Sequence, residues 1–194
     1  MNKRGSLISL LSLFLPALLS CYLFSQSSKP PLSPSLSIDG ASPEMEKLAR
    51  AFVGEWDTTE LMERSEYFPH GGGRSGKSHW RLGVGGTTLI AEGNSDGSVG
   101  PLSYLITIWW DKKSKTYGFF ICFKDTGSSC RVRGTAHWEG DTFVNDYEEM
   151  ENGKSIKWRD SFIQITPASH VLIAARDAGD GTMKTLITSK STRH

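Results

Sequence analysis

From Gly54 onward the sequence is broken at short intervals by clusters of turn formers: LGVGG, NSDGSVGP, DKKSK, DTGS, EGD, ENGK, TPAS and DAGDG. The runs between them are rich in β-branched and aromatic residues and too short for a helix that crosses between parallel strands. This punctuation predicts strands near 55–62, 74–82, 87–94, 102–110, 116–124, 129–138, 141–149, 154–165, 170–176 and 182–190. Asn152-Gly153 is a two-residue hairpin signal, with weaker ones at Glu139-Gly140-Asp141 and Asp180-Gly181. About ten consecutive strands joined by short turns make an antiparallel meander. A strip of that length curls closed because closure removes its edges, and around ten strands leave an interior cavity. The expected fold is all-β: an up-and-down barrel of about ten strands behind one short N-terminal helix.

That helix is expected just before the strands. Ser42 suits its cap, Pro43 its first position, and Met45, Leu48, Ala49 and Phe52 share a face. Gly54 is expected to end it.

The first residues belong to another kind of segment. Lys3 and Arg4 precede an apolar run from Leu7 to Leu19, the pattern of a signal peptide. The stretch LLSC, Leu18 to Cys21, resembles a bacterial lipobox, with Leu three places before Cys and a bulkier residue than usual, Leu19, between. It implies lipidation at Cys21. Cleavage near Ser25 and retention of Leu7–Phe24 as an anchor are the alternatives, and all three send the rest of the chain out of the cytoplasm. Residues 25–43, SQSSKPPLSPSLSIDGASP, are dominated by Ser and Pro and read as a tether. The expected organisation is a signal peptide over 1–20, a tether over 21–42 and a barrel domain over 43–194. Localisation is expected at the outer membrane or in the periplasm, alternatively secreted.

With 22 basic and 21 acidic side chains, the chain lacks the charge excess that nucleic-acid binding demands. Loss of residues 1–20 takes the formal charge from +1 to about −1, still near neutral. A literal Walker A pattern runs from Gly71 to Ser78 (GGGRSGKS), and HGGG, at His70 to Gly73, matches an oxyanion-hole motif. A P-loop must lie between a buried strand and a helix. Here ERSEYFPH precedes the pattern, glycine-rich SHWRLGVGGTT follows it, and no G-x-S-x-G elbow accompanies the HGGG. The stretch is therefore read as a hairpin connection with no nucleotide site. Asp111, which follows the apolar LITIWW, is read as a turn residue rather than a magnesium ligand.

At the helix-to-strand junction stands Gly54-Glu55-Trp56. Followed by a meander, this G-x-W resembles the calycins, the lipocalin and fatty-acid-binding-like barrels. The segments LARAFVGEW, LGVGGTTLIAEG and LSYLITIWWDKKSKTYGFFICF resemble more closely a family of uncharacterised bacterial calycin-like proteins. The resemblance implies that Trp56 closes one barrel end beneath a basic side chain of the last strand, Lys190 or Arg193. It names no activity.

Strands 102–110 and 116–124 are apolar on both faces, so the first helix or a partner is expected to cover them outside. The six Trp suggest an aromatic pocket for an apolar or amphipathic molecule, with Trp56, Trp80, Tyr104, Trp110, His137 and Trp158 as candidates. Core packing is the alternative for each. Cys122 and Cys130 flank a turn near Thr126 and are expected to form a cross-strand disulfide. None of the five His makes a pair at metal spacing, and the last strand lacks the His that haem-binding nitrobindin-like barrels use, so neither metal nor cofactor is expected. His79 and Glu92 are the catalytic candidates if they face inward, and Asp160 is a further strand carboxylate whose pKa burial would raise. Arg131, Arg133 or Arg159 would instead neutralise such a group. The readings are thus a ligand-binding barrel, a small isomerase, cyclase or hydratase, or a structural envelope protein with a filled barrel.

Overall fold

The computed structural model describes residues 40–124 and 129–194. The expected signal peptide, Cys21, most of the tether and the turn around Thr126 lie outside the described residues. A helix, α1 (Pro43–Phe52), leads into ten antiparallel strands: β1 (Gly54–Met62), β2 (Gly72–Gly83), β3 (Thr88–Gly97), β4 (Leu102–Asp111), β5 (Thr116–Lys124), β6 (Ser129–Glu139), β7 (Thr142–Glu151), β8 (Lys154–Ile163), β9 (Ser169–Asp177) and β10 (Met183–Arg193). Each strand pairs with the next, and β10 returns to pair with β1, so the sheet is a closed calycin-like barrel.

The sequence expectation and the structure differ mainly at strand ends. β3 continues to Gly97, because Asn94, Ser95, Asp96 and Gly97 stay in register with Lys77, Gly76, Ser75 and Arg74. NSDG reads as a turn by composition, yet Ser95 alone points inward and the polar remainder faces water. β10 continues to Arg193, which pairs with Trp56. The Walker-like residues 72–78 are extended strand, paired to β1 and β3, and open no helix.

The helix forms where its cap and spacing place it. Ser42 Oγ accepts from the Met45 amide at 3.3 Å, Pro43 occupies the first turn, and Met45, Leu48, Ala49 and Phe52 are buried. Phe52 stacks on Trp80 (5.2 Å between ring centroids) and meets Phe143, Phe162 and His170 edge-on or tilted. Those partners belong to β2, β7, β8 and β9, so a single side chain spans the barrel and α1 plugs that end. The helix therefore does not cover the outer apolar face of β4 and β5. Leu105 and Trp109 remain exposed there, with the Trp109 indole over Gly118.

The plug is locked by the chain's two ends. Trp56 Nε1 donates to the Phe52 carbonyl at 2.8 Å, and the Arg193 guanidinium lies 4.5 Å from the Trp56 ring. Arg193 also donates to the Val53 carbonyl. Lys190, the other candidate, faces solvent. Gly54 sits at φ +146°, and a Cβ there would meet Arg193 Nη1 at 2.7 Å. Glycine is required twice over, for its dihedral and for the guanidinium's path. Gly54→Ala is expected to cost on the order of 1–3 kcal/mol in urea unfolding. Only the part due to the clash with the guanidinium should vanish in an Arg193→Ala background, leaving the backbone strain, a partition that a double-mutant cycle reads directly.

Candidate functional site

Strand alternation divides the side chains cleanly. Trp56, Thr58, Glu60 and Met62 of β1 point inward, as do Arg74, Ser78 and Trp80 of β2. The inward set continues with Tyr104, Ile106 and Ile108 of β4, Asn145 and Tyr147 of β7, and Trp158, Asp160 and Phe162 of β8. Along the barrel axis these residues change character. Near α1 the interior is solid: Trp56, Leu89, Ile108, Phe119 and Phe143 are at most 1% exposed. Toward the other end Thr58, Tyr104, Ile106, Ile121, Phe123, Tyr147, Trp158 and Leu172 face inward yet are only half-buried. Solvent thus reaches the interior from the end opposite the plug.

The open half is lined by aromatic and polar groups together. Tyr147 and Trp158 are cross-strand partners with rings parallel to within 5° and 6.1 Å apart, and Phe119 meets Tyr147 edge-on at 5.7 Å. The Tyr104 ring lies where a Cβ of Gly93 would be, so the strand glycine makes room for it. On the β1–β3 wall Arg74 Nε donates to Glu60 Oε2 at 2.7 Å and Ser95 adds a hydroxyl, a nearly buried and self-contained pair. At the mouth the β1–β2 connection reaches across to the far wall. Tyr67 packs edge-on against Trp158 and donates to Glu151, while Arg176 lies over the Tyr67 ring and pairs with Glu66 and Glu151. Two hollows lie against this half from outside: one of about 350 Å³ beside the outward-facing Ser103, Leu105, Cys122 and Lys124, and one of about 390 Å³ beside Asp146, Glu148, Lys157 and Arg159 on the outer face of β7 and β8.

Asp160 and His170 are titratable groups inside the barrel with no ion pair among the described residues. Asp160 is 9% exposed, and burial pushes its carboxyl up to about 7, with Glu149 and Asp146 adding repulsion against one hydrogen bond from Tyr147 (3.5 Å). His170 is 3% exposed among Phe52, Trp56 and Phe162, and burial, then the charge of Arg193, takes it down to about 4. Its Nδ1 has no partner among the described residues, nor has Asn145 Oδ1 or Trp158 Nε1.

The sequence-derived candidates separate accordingly. Tyr104 and Trp158 lie in the open half. Trp56 and Trp80 are buried under the plug, and Trp110 packs edge-on against Tyr117 at that end (4.9 Å), so these three line no open space. His137 is on the outer face, hydrogen-bonded to Glu139 at 2.9 Å, because its strand parity is opposite to that of Ala136 and Trp138. His79 and Glu92 are opposite each other across β2 and β3, both exposed, with Glu55 and Arg81 as their partners. Neither can act inside the barrel. Arg133 and Arg159 also face outward, so neither neutralises Asp160, and the Arg131 side chain lies outside what the structure describes. Cys122 and Cys130 are bonded in the structure. His170 and Asn145 went unnoticed because only parity relative to the plug marks them as interior.

The fold and site define a calycin-like barrel sealed at one end and open at the other. Among solved structures, Rv2717c from M. tuberculosis has a TM-score of 0.56 at 9% identity, over 79% of this chain and 99% of that one. The S-type phycobiliprotein lyase CPES from Guillardia theta matches at 0.49 and 10% identity, covering 77% and 92%. The redesigned β-barrel mFAP0, bound to DFHBI, matches at 0.41 and 15%, covering 73% and 97%. At these identities the likeness concerns the fold. No protein-family model and no curated protein sequence matches the chain.

The two interior groups oppose each other in their effect on stability. Asp160 holds a proton in the folded state that the unfolded chain, with pKa 3.8, releases, so its contribution falls as pH rises from about 4 to about 7. His170 stays neutral where the unfolded chain, with pKa 6.5, is protonated, so its contribution rises between about 4 and 6.5. The melting temperature of the unaltered protein should therefore vary little across that window. Asp160→Asn should expose a rise with pH and His170→Asn a fall, each with a slope up to about 1.4 kcal/mol per pH unit. Parallel profiles for all three proteins would contradict these assignments.

Proposed function

We propose that this protein is an exported barrel, held at the envelope by lipid on Cys21, that carries a small apolar or amphipathic molecule in its open half. The carrying observation is the contrast in burial along one interior. Phe52, Trp56, Phe119 and Phe143 under α1 are fully buried, whereas Tyr104, Phe123, Tyr147 and Trp158 farther along keep some accessible surface, with Met62 and Val132 buried among them. Such a lining, with few polar groups set in it, is what small-molecule sites are made of. Tyr104, Phe123, Tyr147 and Trp158 supply the apolar contacts, and the β1–β2 connection narrows the entrance. The Rv2717c likeness supports the container shape and no particular ligand. A filled structural barrel would require both halves to be packed alike. An enzyme acting through His79 or Glu92 is incompatible with their outward placement.

The protein purified from bacterial envelopes should carry a discrete extra mass in native mass spectrometry that is lost on denaturation. Trp158→Ala should lower the occupied fraction several-fold, since stacking on such a ring contributes roughly 0.5–1.5 kcal/mol. The same spectra should show a protein two mass units below its fully reduced form, from the Cys122–Cys130 bridge. Cys21→Ser should move the protein from the membrane to the soluble fraction. An apo mass in every preparation, with no uptake of added lipids or aromatic probes, would overturn the container reading.

A further inference from the structure

The interior wall of β7 and β8 is short of positive charge. Asp160 points into the barrel and makes no ion pair among the described residues. The titratable and charged groups around it come from three strands. β7 contributes Tyr147, Glu149 and, across the wall, Asp146. Its own strand contributes Trp158 and Phe162 on the inner face, while Arg159 turns outward to Asp146 at 2.8 Å. Its partner on β9 is Ala174, and the next inward residue, Arg176, is committed to Glu66 and Glu151. Arg74, another inward cation among the described residues, is bound to Glu60.

Directly opposite Asp160 stands Asn145, 2% exposed, whose Oδ1 is a buried acceptor without a partner. An unpaired buried acceptor costs roughly 1–3 kcal/mol, and an unpaired buried carboxylate costs more or takes up a proton. At the level of Asp160 and Asn145 the wall thus offers acceptors, while the parallel rings of Tyr147 and Trp158 flank it and the Trp158 Nε1 and Arg176 Nε donors beside it also lack partners among the described residues. A neutral ligand donor would satisfy Asn145 and leave Asp160 uncompensated. A ligand carboxylate would meet Asp160 as a like charge. A protonated amine answers the Asn145 acceptor, pairs with the Asp160 carboxylate and sits favourably against aromatic faces.

We propose that the molecule held in the open half carries a protonated amine, placed between Asp160 and Asn145 with its apolar part along Tyr147 and Trp158. This rests on the container reading and assigns its ligand class, a cationic amphiphile. Binding replaces a proton on Asp160 by the ammonium group, so the amine displaces that proton and binds more tightly as pH rises through about 7.

Decylamine, decanol and decanoic acid, below their aggregation limits, test this on the purified full chain by tryptophan fluorescence. At pH about 8 the amine should bind at least about tenfold tighter than the alcohol, with the acid weakest, a ratio that one desolvated charge pair readily supplies. The advantage should shrink below pH about 6. Calorimetry near pH 7 in two buffers of different ionisation enthalpy should show a proton released. Asp160→Asn should abolish the amine's advantage, so that amine and alcohol bind that variant alike. Equal binding of amine and alcohol by the unaltered protein, or tightest binding of the acid, would overturn the amine assignment while the container stands. Binding of none of the three would overturn both.

Discussion

The barrel depends on the joint where its first and last strands meet under α1. Closure requires β10 to reach Arg193, since only there does it stand opposite Trp56. The guanidinium then covers the indole, and the indole nitrogen ties back to the helix at Phe52. Gly54 permits the arrangement by having no side chain in the guanidinium's way. Helix position, strand closure and the sealed end are thus one feature. Because the hydrogen bond and the cation–π contact lie beneath the plug, they work away from water, where each is strongest.

Everything at the other end follows from what that joint leaves free. The plug fills the interior with Phe52, Trp80, Phe143 and Phe162, which supply most of the aromatic contacts at that end. Farther along, Tyr104, Ile106, Ile121, Phe123 and Tyr147 still pack against that core but are only half-buried, and polar residues enter the lining. Glu60 with Arg74 is internally balanced, and a buried pair of this kind adds little net stability while being costly to break. Asp160 lacks such a partner. The two carboxylates differ in their neighbours across the strand: Glu60 faces the arginine of β2, whereas Asp160 faces Asn145 and Ala174.

The ten strands were legible because turn chemistry is local: Asn152-Gly153 and Glu139-Gly140-Asp141 declare themselves without reference to the rest of the chain. The cap at Ser42 and the buried face of α1 were legible for the same reason. Which strand face points inward was not, because β4 and β5 are apolar on both sides and period-two alternation carries no sign. That missing sign separates His79, Glu92 and His137, which face out, from Asp160, Asn145 and His170, which face in. Trp56 supplies it in retrospect: once it is fixed under the plug, register propagates from β1 to β2 and onward, and every parity follows. The polar end of β3 was misread as a turn because Asn, Asp and Gly on an outer barrel face look like loop residues when burial is unknown.

The division between the two halves also places a cost. A domain of this size has only a modest stability margin, and the closed half must supply it. The unpaired carboxyl in the open half draws on that margin whenever pH favours its ionised form. A partner that binds only the folded barrel and compensates the charge returns stability in proportion to its occupancy. With the proposed amine as that partner, Asp160 would couple occupancy to stability: an empty barrel would be penalised by its ionised carboxylate and a filled one relieved. A filler residue in its place, such as the phenylalanine two positions on, would remove the penalty and, with it, any reason for the interior to distinguish one occupant from another.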